Sequence, residues 1–260
     1  MESQETYWAD LAALDWQVEL GADEAIGDAP VDRYALPEKP KPEKAPIGTV
    51  PVAKPRVEVD PVAVARDAAA AAQDLESLAD AMAEFAFCDL RNGARHLVFA
   101  DGDPEARIMV ISDIPDREED RIGTPLTGDT GRLFDRMFAA IGMSRNASLP
   151  SDTIYVGACM PWRPPAAQDV SDADIAMLTP FLQRHIALVD PDILIPMGAG
   201  PCRMLLGKPG ISRIRGSWQE IAGRPAMPMH HPRHLLGNPA DKRHAWADLL
   251  SVKARLEDLA

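Results

Sequence analysis

RIMVISDIPDREEDRIGTPLTGDTGRLFDRMFAAIGMSR, residues 107–145, changes its period twice. Ile108–Ile111 is a short apolar run bounded by charge, the pattern of a strand buried on both faces. Asp129–Ile141 carries Leu133, Met137 and Ile141 at helical spacing, which predicts a helix with one apolar stripe. Between them, Ser112–Asp116 reads SDIPD. An acidic residue and a proline directly after a buried strand predict a rigid turn that aims a carboxylate. Strand, loop and helix in this order form the repeating unit of a parallel α/β sheet.

The same alternation runs outward. Strands are expected at Thr153–Cys159, Ile193–Met197 and Pro225–Met229, and helices at Asp172–Leu188, Pro201–Leu206 and Lys242–Leu259. The fold class is therefore α/β: a three-layer sandwich over residues 85–260 with a short parallel sheet flanked by helices. Ligands in such folds bind beyond the carboxyl ends of the strands. Three loops stand there: Ser112–Asp120, Ala158–Gln168 and His230–Leu236. The first crowds Asp113, Asp116, Glu118, Glu119 and Asp120 together, and reads either as a solvated acidic loop or as a functional one. The second, CMPWRPPAAQ, offers one cation and one aromatic on a stiff segment, either as a wall for a substrate or as structure. The third, HHPRHLLGNP, holds three histidines. No metal is expected there, because adjacent His230 and His231 point apart at a strand end and no second ligand cluster accompanies them.

Residues 1–61 read as an acidic arm: a short amphipathic helix over 6–20 with Trp8, Leu11, Leu14 and Val18, then a spacer with seven prolines between 36 and 61. The helix either packs on the main domain or docks a protein partner. Residues 62–84 are Ala-rich without Gly or Pro, and predict a single lead-in helix. The formal charge of −13 argues against nucleic acid until it is mapped. Residues 1–84 hold 18 acidic and 7 basic side chains, whereas residues 181–260 hold 7 acidic and 11 basic. The last third can therefore face a polyanion. Three scattered cysteines and no CxxC suit a reducing compartment, and neither a leader nor a membrane-spanning run is apparent, so a cytoplasmic protein is expected.

The three loops, with LVFADGDPEARIMVI, GTPLTGDTGRLFDRMFAAIGMSR, PFLQRHIALVDPDILIPMG, IRGSW and AWADLL in this order, resemble the uracil-DNA glycosylase superfamily over nearly all of residues 85–260. The chain looks like a divergent bacterial member of the family 4 type. The resemblance implies a DNA N-glycosylase that hydrolyses the bond between deoxyribose and uracil, or another deaminated base, in base excision repair. Its substrate would be single-stranded DNA or a damaged duplex. Where relatives read GEAPG, this chain has Ser112, Asp113, Ile114, Pro115 and Asp116. Their base-stacking Phe is Leu126 here, and their base-reading Asn is Ala158. The His-Pro motif is kept at His231 and Pro232.

The implied catalytic pair is Asp113, which positions water or steadies the sugar cation, and His231, which donates to the base oxygen. The implied base pocket is Ser112, Pro115, Asp116, Leu126 and Ala158. Arg163, Arg215 and Arg233 would hold phosphates, and Leu235 or Leu236 would fill the gap left in the stack. Family 4 relatives hold an iron–sulfur cluster on four cysteines. The matching positions are Phe85, Cys88, Trp162 and Leu178, so no cluster and no other cofactor is expected. Loss of the stacking ring and of the base-reading amide leaves a second reading, a catalytically inactive descendant that binds DNA or docks a partner.

Overall fold

The computed structural model describes residues 4–20, 59–165, 170–207 and 210–259. In chain order the elements are α1 (Gln4–Glu19), α2 (Pro61–Ala71), α3 (Leu75–Glu84), β1 (Ala100–Gly102), β2 (Ile108–Ser112), α4 (Arg117–Ile122), α5 (Gly128–Ala139), β3 (Ile154–Ala158), α6 (Asp172–Val189), β4 (Ile193–Pro196), α7 (Ala199–Leu206), α8 (Ile211–Ile214), β5 (Gln219–Ile221), β6 (Arg224–Ala226), α9 (Pro232–Gly237) and α10 (Lys242–Asp258).

All five residues of β2 are buried, because strands flank it on both sides and helices cover both faces. It pairs in parallel with β3, placing Ser112 opposite Ala158, and with β4, placing Ile111 opposite Pro196. The full order is β1-β3-β2-β4-β6-β5. The apolar run divides by alternation. Met109, Ile111 and Leu194 share a core with Ala65, Leu78 and Phe181 of α2, α3 and α6. Ile108, Val110 and Ile195 share the other with Phe134, Phe138, Leu249 and Val252 of α5 and α10. These are the three expected layers.

The sheet is mixed rather than purely parallel, since β1 and β5 run antiparallel to their neighbours at the two edges. Both are three-residue strands without an apolar run, so periodicity does not reveal them. A two-residue turn creates β5–β6: Ala222 and Gly223 both take positive φ, 51° and 76°, the twist a tight hairpin needs.

The single lead-in helix expected over residues 62–84 is two helices. Ala72 leaves the helical conformation, and Asp74 opens α3 with a capping box in which its carboxylate accepts from Ser77 N–H at 2.8 Å. Arg184 of α6 donates to the Ala72 carbonyl and holds the break. Ala65, Ala69 and Ala72 let α2 lie close on α6, so these helices complete the core rather than lead into it. The chain divides into two units, Met1–Arg56 and Val57–Ala260.

In the first unit α1 is helical as expected. At about 100° per residue, however, Tyr7, Leu11, Leu14 and Val18 share a face and Trp16 lies roughly opposite, with all of them exposed. The proline-rich spacer lies, up to residue 58, outside the described residues. Among the described residues no helix is long and apolar enough to cross a membrane.

Candidate active site

The carboxyl ends of β2, β4 and β6 converge. Met197 N–H donates to the Ile111 carbonyl at 2.9 Å, and Gly198 N–H to the Met229 carbonyl at 3.0 Å, which brings the three strand ends into line. Sequence between β2 and β4 departs in opposite directions, so this is the crevice where a doubly wound sheet opens. A cavity of about 320 Å³ lies there, with Asp113, Gly198, Ala199, Ile211, His231 and Arg233 among its lining.

Asp113 follows β2 directly. Its Oδ1 accepts from the N–H groups of Ile114 at 2.9 Å and Gly200 at 3.0 Å, the second in the first turn of α7. Burial raises its pKa above the ordinary carboxylate value, while these donors and the Arg233 charge oppose the rise. Gly198 and Gly200 make the seat. A Cβ at Gly198 would meet Asp113 Cγ at 2.7 Å, and one at Gly200 would overlap Asp113 Oδ1. The sequence shows two glycines after β4, but nothing in it says that they lie under a carboxylate.

His231 caps α9. Its Nδ1 accepts from Arg233 N–H at 3.2 Å, and its Nε2 lies 3.2 Å from Ser112 Oγ. Burial pushes its pKa down to about 3, and the Arg233 charge adds to that, against the pull of Asp116. The ring is neutral at physiological pH. A backbone N–H can only donate, so Nδ1 keeps its lone pair and the proton sits on Nε2. Nε2–H points at Ser112, within the site.

The acidic loop is solvated only in part: Glu118 is exposed, whereas Glu119 and Asp120 are buried. Asp116 caps α4, accepting from the N–H groups of Glu118 at 2.8 Å and Glu119 at 3.0 Å. Glu119 is only 1% exposed. Its carboxylate accepts from Asp116 N–H at 2.7 Å, Leu126 N–H at 2.6 Å and the Arg233 guanidinium at 3.0 Å. Burial raises its pKa against those donors. Glu119 thus ties the turn after β2, the PLTG segment and α9 together. A helix of six residues with an internal charge clasp leaves no apolar stripe by which a sequence reading finds it.

The remaining expected residues fall into two groups. Ser112 touches His231, and Pro115 is buried beside it in the chain. Leu126 is wholly buried in the α5 core at φ 52°, and Ala158 is 6% exposed in β3. Neither lines the cavity around Asp113 and His231. Of the arginines, Arg163 is half-buried 3.8 Å from Asp120. Arg233 clasps Asp116, Glu119 and the Ile114 carbonyl, yet its side chain stays 41% exposed beside the cavity. The Arg215 guanidinium grips buried Asp248, with Nε–Oδ2 at 3.0 Å, and reaches the His244 carbonyl. Leu235 is wholly buried, which leaves exposed Leu236 as the side chain that can enter a stack.

Phe85, Cys88, Trp162 and Leu178 are buried in one apolar core, where Phe85 meets Phe181 edge-on at 5.4 Å. The Cys88 thiol faces the Asp174 carboxylate at 3.6 Å, and burial pushes its pKa up to about 11. The third loop also gathers groups of metal-ligating type. His230, His234 and Asp241 bring donor atoms within 4.8 Å of one another. Asp241 comes from the 3-10 turn Pro239–Asp241, which the sequence reading did not identify.

Residues 99–250 match the family model described as the Uracil DNA glycosylase superfamily. The type-4 uracil-DNA glycosylase of Sulfurisphaera tokodaii is 27% identical over 191 residues, covering 69% of this chain and 83% of that protein. That of Saccharolobus solfataricus is 28% identical over 193 residues, covering 70% and 87%. That of Thermotoga maritima is 24% identical over 173 residues, covering 65% and 86%. With the matched segment spanning the sheet from β1 through α10 and holding both Asp113 and His231, the chain belongs to the uracil-DNA glycosylase superfamily.

Proposed function

We propose that this chain is a DNA N-glycosylase that releases uracil or another deaminated base, with Asp113 and His231 as its catalytic residues and without an iron–sulfur cluster. The observation that carries the reading is the pairing of a half-buried carboxylate and a neutral, donor-oriented imidazole on the walls of one cavity. Bond breakage places positive charge on the sugar and negative charge on the leaving base. The Asp113 carboxylate stabilises the first and orients the attacking water. His231 Nε2–H turns from Ser112 Oγ to the base oxygen as charge grows there, a role typically worth a few kcal/mol. In this reading Arg233 and Arg163 meet phosphates, and exposed Leu236 replaces the extruded base.

An iron–sulfur cluster needs four thiolates, and three of the matching positions, Phe85, Trp162 and Leu178, carry no thiol and are buried in one apolar core. The fourth, Cys88, is held as a protonated thiol against Asp174. These residues do not fit a cluster, and no step is assigned to one.

The second reading, DNA binding without turnover, is favoured by the burial of Leu126 and Ala158, which leaves the cavity without a base-reading amide or a stacking ring. A base-release assay over uracil, hypoxanthine and xanthine in single- and double-stranded oligonucleotides separates the two. Release from any of them that is lost in Asp113→Asn supports the enzyme. Salt-sensitive binding with no release from any supports the binding protein.

A further inference from the structure

His230 and His234 stand four residues apart, on either side of the chain's turn from the end of β6 into α9. The turn stacks their rings at 4.5 Å with 19° between planes. Asp241, at the start of α10, places Oδ2 2.7 Å from His234 Nε2, and His244 Nδ1 lies 3.5 Å from the other Asp241 oxygen. We propose that His230, His234 and Asp241 form a binding site for one divalent transition-metal ion of the zinc class.

The chemistry of the donor set favours such an ion. Two imidazoles and one carboxylate suit zinc, cobalt or nickel and do not suit calcium or magnesium, which take oxygen ligands. Spacing agrees. Metal–ligand bonds of about 2.0–2.2 Å at tetrahedral angles separate donor atoms by about 3.3 Å. His234 and Asp241 stand 2.7 Å apart and all three donor atoms lie within 4.8 Å of one another, so side-chain shifts of about 1 Å or less close the set. The ion takes the place of the proton on the His234–Asp241 bond. Arg215, the nearby cation, is already neutralised by Asp248.

The position matters because His230 and His234 also line the cavity that holds Asp113 and His231. A bound cation would pin α9, which His231 caps and which carries Arg233, to the start of α10, and would add positive charge where a phosphate approaches. The site stands on its own residues, independently of whether the chain releases bases.

The test is Zn²⁺ binding by the full-length chain after chelator treatment, measured by calorimetric titration, with the Co²⁺ absorption spectrum as a second readout. The expected result is one Zn²⁺ per chain, a Tm raised by about 5–10 °C at a hundredfold excess over Kd, and a Co²⁺ spectrum without thiolate charge transfer. Asp241→Asn and His234→Gln change half-exposed side chains and should each weaken binding by about 10- to 100-fold or more with circular dichroism unchanged. Binding that survives both substitutions, thiolate charge transfer, or the absence of binding by the chelator-treated protein would overturn the proposal.

Discussion

Replacing Gly200 by alanine tests the seat under Asp113. The added methyl carbon would overlap Asp113 Oδ1, with Cys159 Sγ at 3.2 Å and Ile114 Cγ1 at 3.4 Å closing the sides. Because ordinary carbon contacts lie near 3.5 Å, the carboxylate must retreat by about 1 Å. A misplacement of that size costs about 100-fold in rate, or about 2.7 kcal/mol of transition-state stabilisation. The stability effect has two opposing parts. Overpacking costs about 1–3 kcal/mol, while alanine in place of glycine inside α7 gains up to about 1 kcal/mol. The net loss should be about 0–2 kcal/mol. With Asp113→Ala the main clash disappears and the helix gain is set only against the tight Cys159 contact, so Gly200→Ala should then cost much less or be neutral. Urea unfolding of the wild type, both single variants and the double variant gives the coupling, expected at about 1–3 kcal/mol. Equal effects of Gly200→Ala in both backgrounds, or full base release by the single variant, would refute the close-contact reasoning.

Asp113→Asn should raise stability at neutral pH while abolishing activity. Burial lifts the folded pKa of Asp113, so the wild type loses stability as pH rises from the unfolded value of about 3.9 through the folded value. The advantage of the variant should therefore appear above that window and vanish below it, as thermal melts across pH will show. The wild-type rate should fall in acid at a pH above the ordinary carboxylate range. Asp248→Ala leaves the Arg215 charge half-buried without its partner, and should cost about 3–5 kcal/mol and lower Tm by roughly 6–20 °C in calorimetry. Removing residues 1–60, which hold 13 acidic and 6 basic side chains, should strengthen DNA binding in a salt-dependent manner by fluorescence anisotropy. Unchanged affinity would mean that the arm does not compete with phosphate.

The parts of the fold that are legible in sequence are those where burial imposes a period. β2 reads as an unbroken apolar run because it is covered on both faces, and α5 reads as a stripe because only one side faces the core. The edge strands β1 and β5 bury too little to leave a pattern, and α4 is specified by caps and a buried carboxylate clasp rather than by apolar spacing. The break between α2 and α3 was signalled only by Asp74 and Ser77, three residues apart inside an Ala-rich segment whose propensity outweighs a single cap. At the site, the acid and the histidine were legible because each follows a strand. Their partners were not. Gly200, Glu119 and Asp241 act through contacts between residues distant in sequence, and the pairing of Arg215 with Asp248 depends on where α10 packs.

The central claim is that His231 Nε2–H works with Asp113 on a base in this cavity. Single-turnover release of uracil from a single-stranded oligonucleotide, compared between wild type and His231→Gln, tests it most directly. The account predicts measurable release by the wild type and a rate about 100- to 1,000-fold lower in the variant, with folding unchanged. Equal rates in the two proteins, or no release by the wild type, would contradict it.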